Sequence, residues 1–391
     1  MYWLLLLLSA YLHQASLPQA PVSRVSSLLA DIAALQQRDN GFFSAGAFPS
    51  TRIHASRPHI VRRDNNIFFT GLIGLGLRRL RPDLGQADRV VCDAILARMQ
   101  PAIPLYRNRQ GRPTYNFWKT NPPQIFPEDP WLELGDRSHA LPDDLDDTVI
   151  LLEALGGEGD SSARVVKALM EAHANGVGRV LHTSYRRYRR KGVYSTWFGR
   201  RMPIDLDFSV LCNVLYWVRA NQLPFGAADS ATVDVLRDMT RRGLPVTDPA
   251  YASPHYARTP VVLYHIGRLL GTFSIPALDS LKPLLVAQTR AAFRDARDPM
   301  DQVLLASTLL RLGVSAADIP PIHMGSLEEE DDRFFFFIAS FSDYMRNPFR
   351  RIFLHAGLLR YEFRCTAYNR FLLLEYLVLR ETSWKRSHAG M

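Results

Sequence analysis

The stretch Leu141-Pro142-Asp143-Asp144-Leu145-Asp146-Asp147-Thr148 sets four carboxylates within five residues, directly ahead of an apolar run. Like charges this close cannot all ionise cheaply, so at least one pKa in the group must rise. A carboxyl kept protonated in an apolar cavity is a strong general acid. The plainer reading is a helix cap, with Asp146 or Asp147 accepting the free amides and the others solvated. A cap needs one carboxylate. Four exceed that need, so proton chemistry is the stronger expectation.

Groups that could serve such an acid lie elsewhere in the chain. Phe68, Phe69, Tyr115, Phe117, Trp118, Trp197, Tyr264, Tyr368 and Phe371 offer π faces to a cation, although each alone also fits plain core packing. Asp64-Asn65-Asn66 opens another apolar run and could reach the same place. His255 and His265 lie near helix starts, where either could bond Asp146 or be a satisfied core histidine. Cys92, Cys212 and Cys365 are far apart and odd in number, so neither a disulfide framework nor a zinc knuckle is suggested.

The elements that position these groups are legible as alternating helices. Apolar helical stretches begin near Asp64, Asp144, Asp205, Arg258, Asp298 and Arg364, mostly at acidic or polar openings suited to helix N-termini. They are apolar nearly all round, which marks buried helices. Between them Ser23 to Arg38, Gln86 to Gln100, Ser161 to Ala174, Ala231 to Arg242 and Ala277 to Ala292 are amphipathic. About six such pairs pack economically as a toroid, buried helices inside, with all inner N-termini at one end. An irregular helical domain or solenoid is the alternative, but solenoids keep a fixed period and this spacing is uneven. Between Leu312 and Phe363 the pattern weakens: Glu328 to Asp332 reads as a loop, and Phe334 to Ile338 as a strand or packed turn. Long aromatic inserts at Ile103 to Pro142, Leu181 to Pro203 and Leu244 to Arg258 precede three inner helices and suit a binding mouth. The fold class expected is all-α, a single (α/α)6-type toroid over residues 21–391 with long aromatic loops at one end.

Asp144-Leu145-Asp146-Asp147-Thr148 resembles the DxDDT motif of class II terpene cyclases, the squalene–hopene cyclase type, which are helical toroids. Gln37-Arg38-Asp39-Asn40-Gly41-Phe42 resembles the Q-x-x-D-G-W turn of that superfamily, and Tyr194-Ser195-Thr196-Trp197 its Y-G-T-W segment. The resemblance implies that Asp146 protonates an alkene or epoxide while Asp144 and Asp147 tune and anchor it. Repeated Q-W motifs are missing, and one toroid stands where those enzymes usually have two helical domains. Asp143, Asp144 and Asp147 also spell the DDxxD magnesium motif of class I terpene synthases, without a second metal motif downstream.

The resemblance implies an isoprenoid substrate, with Asp64, Asn65, Trp118, Trp197 and Tyr264 along its path. Lys119, Arg189 and Arg190 would hold a diphosphate, Arg being suited to phosphate. No metal or cofactor is called for, Mg²⁺ entering only with a diphosphate. A carbohydrate-active (α/α)₆ hydrolase or lyase using Asp64, Asp146 and Asp205 is the rival, and a non-catalytic scaffold the third reading.

The chain has 391 residues, 47% hydrophobic and 22% charged, enough for a sizeable core and too apolar for wholesale disorder. Its mean hydropathy of −0.10 argues against a polytopic membrane protein. The net charge of +9 suits nucleic acid, an anionic membrane surface or a phosphorylated small molecule. No nucleic-acid module is legible, so nucleic acid is not an expected partner. Arg186 to Lys191 is a basic run that also fits solvated surface. Residues 1–20 form a separate apolar segment around Leu4 to Leu8, far short of the roughly 20 residues of a membrane span. It reads as a weak signal peptide or a membrane-dipping helix. The expected location is cytoplasmic or peripheral to the inner membrane face, with export by that segment as the alternative.

Overall fold

Carboxylates cap the helices they precede: Asp144 accepts the Asp147 amide at 2.6 Å, and Asp207 accepts those of Ser209 and Val210 at 2.8 and 3.1 Å. The computed structural model describes residues 23–129, 141–157, 160–199, 202–322 and 333–388. The apolar N-terminal segment and the Glu328 to Asp332 run lie outside the described residues. In chain order the longer elements are helix α1 (Arg24–Leu35), strands β1 (Ser50–His54) and β2 (Arg57–Asp64), and helices α2 (Phe68–Leu80), α3 (Gln86–Met99), α4 (Leu145–Leu155) and α5 (Asp160–Ala172). Then come α6 (Phe208–Ala220), α7 (Ala227–Arg241), α8 (Thr259–Thr272), α9 (Lys282–Asp295), α10 (Pro299–Arg311), strands β3 (Phe337–Ser340) and β4 (Arg360–Arg364), and helix α11 (Thr366–His388).

The apolar helices pack on one another in a cycle. Helix α2 lies on α4, α4 on α6, α6 on α8, α8 on α10, α10 on α11, and α11 returns to α2. The closing contact requires a residue without a side chain, because a Cβ on Gly76 would lie 1.9 Å from Cζ of Phe371. Amphipathic helices sit against this cycle: α1 on α11 and α3, α3 on α2, α7 on α6, α9 on α10 and α8. Burial follows the hydropathy pattern, since α6 is buried from Phe208 to Val218 while α7 buries one face. No helix among the described residues is long and apolar enough to cross a membrane.

The chain is mostly helical but not all-α. An antiparallel sheet in the order β2-β1-β4-β3 interrupts the helical plan, with Ile53 opposite both Val61 and Glu362. Phe334 to Ile338 contributes part of β3, as one of its two expected forms. Strands β1 and β2 were not expected. Strand β2, Arg-Pro-His-Ile-Val-Arg-Arg-Asp, is a largely exposed edge strand, and an edge facing water needs no alternation of apolar residues.

Candidate active site

The starts of α2, α4 and α6 and the turn before α8 line a partly open cavity. Phe68 comes from α2, the carboxylates from α4, Val210 from α6, and His255 and Tyr256 from the turn before α8. The sheet supplies the opposite wall through Phe337, Ile338, Ala339, Ser340, Tyr361 and Phe363. Phe337 stacks on Phe363 at 5.0 Å and meets Phe68 edge-on at 5.2 Å.

Two of the long inserts fasten the acidic motif. Asp144 N–H donates to the Tyr115 carbonyl at 3.3 Å, Leu145 N–H to Thr196 at 2.8 Å, and Phe198 N–H to Asp143 at 3.0 Å. The Tyr194 to Trp197 segment thus docks on the backbone of the carboxylate run, with Tyr194 anchored to Asp229 of α7 at 2.9 Å. Trp197 faces the cavity, and its indole N–H has no acceptor among the described residues. The Gln37 to Phe42 turn closes locally, Gln37 donating to the Asp39 carbonyl at 2.9 Å.

The four carboxylates take separate roles. Asp143 turns away to Asn108 and Thr114, at 2.5 and 2.6 Å. Burial raises Asp144 to about 7, against a hydrogen bond from Asp147 that favours its ionised form. Burial, then the charge and hydrogen bond of Asp144, push Asp147 well above the carboxylate range. Both shifts favour a proton held within this pair, and the Oδ1 of Asp147 has no hydrogen-bond partner among the described residues. Asp146 accepts Asn213 Nδ2 at 2.6 Å on one oxygen and the Tyr256 hydroxyl on the other. Burial raises its pKa, while these two donors and the charges of Arg268 and His255 pull it back. Arg268 donates to Asn213 Oδ1, which turns the amide nitrogen toward Asp146.

Beside this group lies a second buried cluster. Arg350 bridges Asp205 and Asp343 at 2.5 and 3.0 Å, and His255 Nε2 meets Asp205 at 2.9 Å. Burial opposes a charge on His255, yet the Asp205 hydrogen bond and Asp343 raise it to about 10, so it is an imidazolium. Burial also opposes ionisation of Asp205, but Arg350 and His255 hold it below the usual carboxylate range. Asp207 is raised by burial to about 6 despite donors from Ser253 and the His255 amide. His255 thus bonds Asp205 rather than Asp146. His265 is a neutral core histidine, its pKa pushed well down by burial and Arg268, bonded to the Val261 carbonyl at 2.8 Å.

Of the residues singled out by sequence, Phe68, Phe117, Trp118, Asp144, Asp146, Asp147, Trp197 and His255 line the cavity, whereas Asp64, Asn65, Lys119, Arg189, Arg190 and Tyr264 do not. Asp64 is held by Arg52 and by Trp118 Nε1 at 3.0 Å, so it orients the tryptophan from behind. Asn65 bonds Gln124 at 2.9 Å, and Lys119 reaches the Phe42 carbonyl at 3.5 Å. Tyr264 lies deeper, edge-on to Phe336 at 6.0 Å. Arg189 and Arg190 are exposed, Arg189 lying 3.4 Å from His182. Asn213, Arg268, Arg350 and Asp343 were missed. The available signal was a polar or charged residue inside an otherwise apolar helix, as with Arg268 in Thr259–Thr272. Asp205-Leu206-Asp207 also repeats the Asp144-Leu145-Asp146 pattern. Among the described residues no three His, Cys, Asp or Glu side chains are grouped to hold a metal ion.

No protein-family model matches the chain, and no curated protein matches it. Among solved structures, ent-copalyl diphosphate synthase from Streptomyces platensis is similar at 14% identity and a TM-score of 0.44. That similarity covers 82% of this chain and 51% of the other, so the chain spans about half the length of that enzyme.

Proposed function

We propose that this protein is a class II terpene cyclase-like enzyme on an (α/α)6-type toroid, initiating cyclisation of a polyprenyl substrate by protonation. The observation that carries the reading is the environment of Asp146. Asn213 has only protons to offer it, because the amide oxygen is committed to Arg268. Tyr256 donates to the second oxygen. A proton carried by Asp146 is therefore left facing the aromatic space. In the reaction a terminal alkene uses its π electrons to form a C–H bond with that proton, leaving Asp146 as a carboxylate and a carbocation on the neighbouring carbon. Internal alkenes then attack in turn, and loss of a proton to a base or capture of water ends the sequence. Phe68, Phe117, Trp118 and Phe337 present π faces suited to the cation. Asp144 is engaged as the helix cap by the Asp147 amide and Asp143 by Asn108 and Thr114, which favours Asp146 as the acid.

Peripheral contact with a membrane is supported by Phe349, Ile352, Phe353 and Leu358, which are exposed on the segment that follows cavity-lining Tyr344. The carbohydrate reading loses its carboxylate pair, since Asp64 and Asp205 are locked by Arg52 and Arg350 away from the cavity.

The test incubates wild type and Asp146→Asn with farnesyl diphosphate, geranylgeranyl diphosphate and squalene, with products read by mass spectrometry. Asn keeps the size of Asp but cannot deliver a proton, so turnover should fall by a factor of about 10² or more at near-normal melting temperature. Cyclisation by the variant at the wild-type rate would refute the assignment.

A further inference from the structure

We propose that a groove beside helix α7 binds an anion carrying two or more closely spaced phosphate groups. The groove lies between α7 and the Arg186 to Lys191 run, and it shares no lining residue with the aromatic cavity. The proposal therefore stands apart from the cyclase reading. Five cations line the groove against two carboxylates: Arg187 and Lys191 on the loop, then Arg237, Arg241 and Arg242 with Asp234 and Asp238 along the helix and its end. At spacings of three and four, Asp234, Arg237, Asp238 and Arg241 fall on one face of α7. That face is the one turned to the basic loop.

A basic run that is only solvated surface has no need of a fixed backbone. Here the backbone is held from beneath. Asn175, 3% exposed, donates to the Arg189 and Lys191 carbonyls at 3.0 and 2.6 Å. Tyr188 is buried in the middle of the run, and its hydroxyl ties the loop to the helix by donating to Asp238 at 2.9 Å. Arg242 Nε meets the same carboxylate at 2.8 Å, with Arg187 4.0 Å from it, and Arg237 meets Asp234 at 2.7 Å. Arg242 and Arg237 each give one nitrogen to these pairs, so further guanidinium N–H groups remain to turn to a ligand. The carboxylates thus set the directions of the basic side chains while the groove keeps an excess of positive charge. A loop fixed in advance also loses little freedom on binding. Arginine takes phosphate through paired N–H donors and lysine takes it as a point charge. With cations on both walls, two adjacent phosphates can engage loop and helix at once, and a single phosphate makes fewer of these contacts.

The paired phosphates belong either to a soluble anion or to a lipid headgroup, and the experiment has an arm for each. Calorimetry on the full chain measures inorganic pyrophosphate against orthophosphate, and co-sedimentation compares phosphatidylcholine vesicles with and without cardiolipin. Both are repeated on a groove variant, Lys191→Ala with Arg241→Ala, and on Arg189→Ala with Arg190→Ala, which removes two charges from the same run outside the groove. All four positions are exposed, so melting temperatures should stay near that of wild type. The expected result is binding in at least one arm, weakened about tenfold or more in the groove variant and less than about twofold in the other. Pyrophosphate binding about tenfold or more tighter than orthophosphate assigns a soluble anion, and cardiolipin-dependent sedimentation without pyrophosphate affinity assigns the headgroup. Binding in neither arm, equal losses in the two variants, or pyrophosphate bound no more tightly than orthophosphate overturns the proposal.

Discussion

Replacing Tyr256 by Phe isolates one contact at the acid. The ring stays where it is, 4.4 Å from His265 and 5.8 Å from Phe336, in a site 1% exposed. What disappears is the hydroxyl that donates to Asp146. A hydrogen bond to a charged group contributes about 1.5–3 kcal/mol, and 1.36 kcal/mol corresponds to one pKa unit. Because the bond favours the carboxylate, its loss raises the pKa of Asp146 by about 1–2 units beyond the increase burial already imposes. Two effects on turnover follow. The alkaline limb of the pH–rate profile, where Asp146 loses its proton, moves up by about 1–2 units. The plateau at lower pH falls, because a weaker acid transfers its proton less readily. That fall is at most about 10- to 100-fold, and smaller for partial transfer in the transition state. The assay is product formation from the preferred polyene between about pH 5 and 10, bracketing the ordinary and the raised carboxyl values. An alkaline limb that stays in place, or moves to lower pH, refutes the role given to Tyr256 and the identification of Asp146 as the titrating acid.

Arg350→Leu should cost about 3–5 kcal/mol by leaving Asp205 and Asp343 buried without their cation. Denaturant unfolding that shows a loss under about 1 kcal/mol would contradict that accounting. Asp144 is raised from 3.8 to about 7, so the folded state binds a proton that the unfolded chain has released. Stability therefore falls as pH rises through that window. Asp144→Asn keeps a good cap and should flatten the fall, measured by unfolding at the two ends of the window; an unchanged slope would exclude Asp144 as its source. Replacing both Arg189 and Arg190 by Ala should leave kcat/KM within about twofold, as expected for exposed positions away from a site. A selective rise in KM would bring them back as substrate ligands.

The sequence alone determined the helices and the crowding of the carboxylates that precede one of them. Acidic or polar openings followed by wholly apolar runs specify buried helices through capping and burial, and α4, α6, α8 and α10 begin within a few residues of the positions read from Asp144, Asp205, Arg258 and Asp298. Four crowded carboxylates likewise announce a raised pKa wherever they are buried, because charge repulsion is local. The neighbours of those carboxylates were decided by tertiary structure. Asn213, Tyr256 and Arg268 lie 67 and more residues beyond Asp146, and only the packing of α4, α6 and α8 in a cycle brings them together. The same packing separates the four carboxylates, since Asp143 turns out to Asn108 while Asp147 lies against Asp144. The sheet was illegible for another reason. Strand β1 is central, but its partners are an exposed arginine-rich edge and a strand about 300 residues away in the chain. Long-range pairing of that kind leaves no period in the local sequence, and it supplies the aromatic wall that the cavity needs.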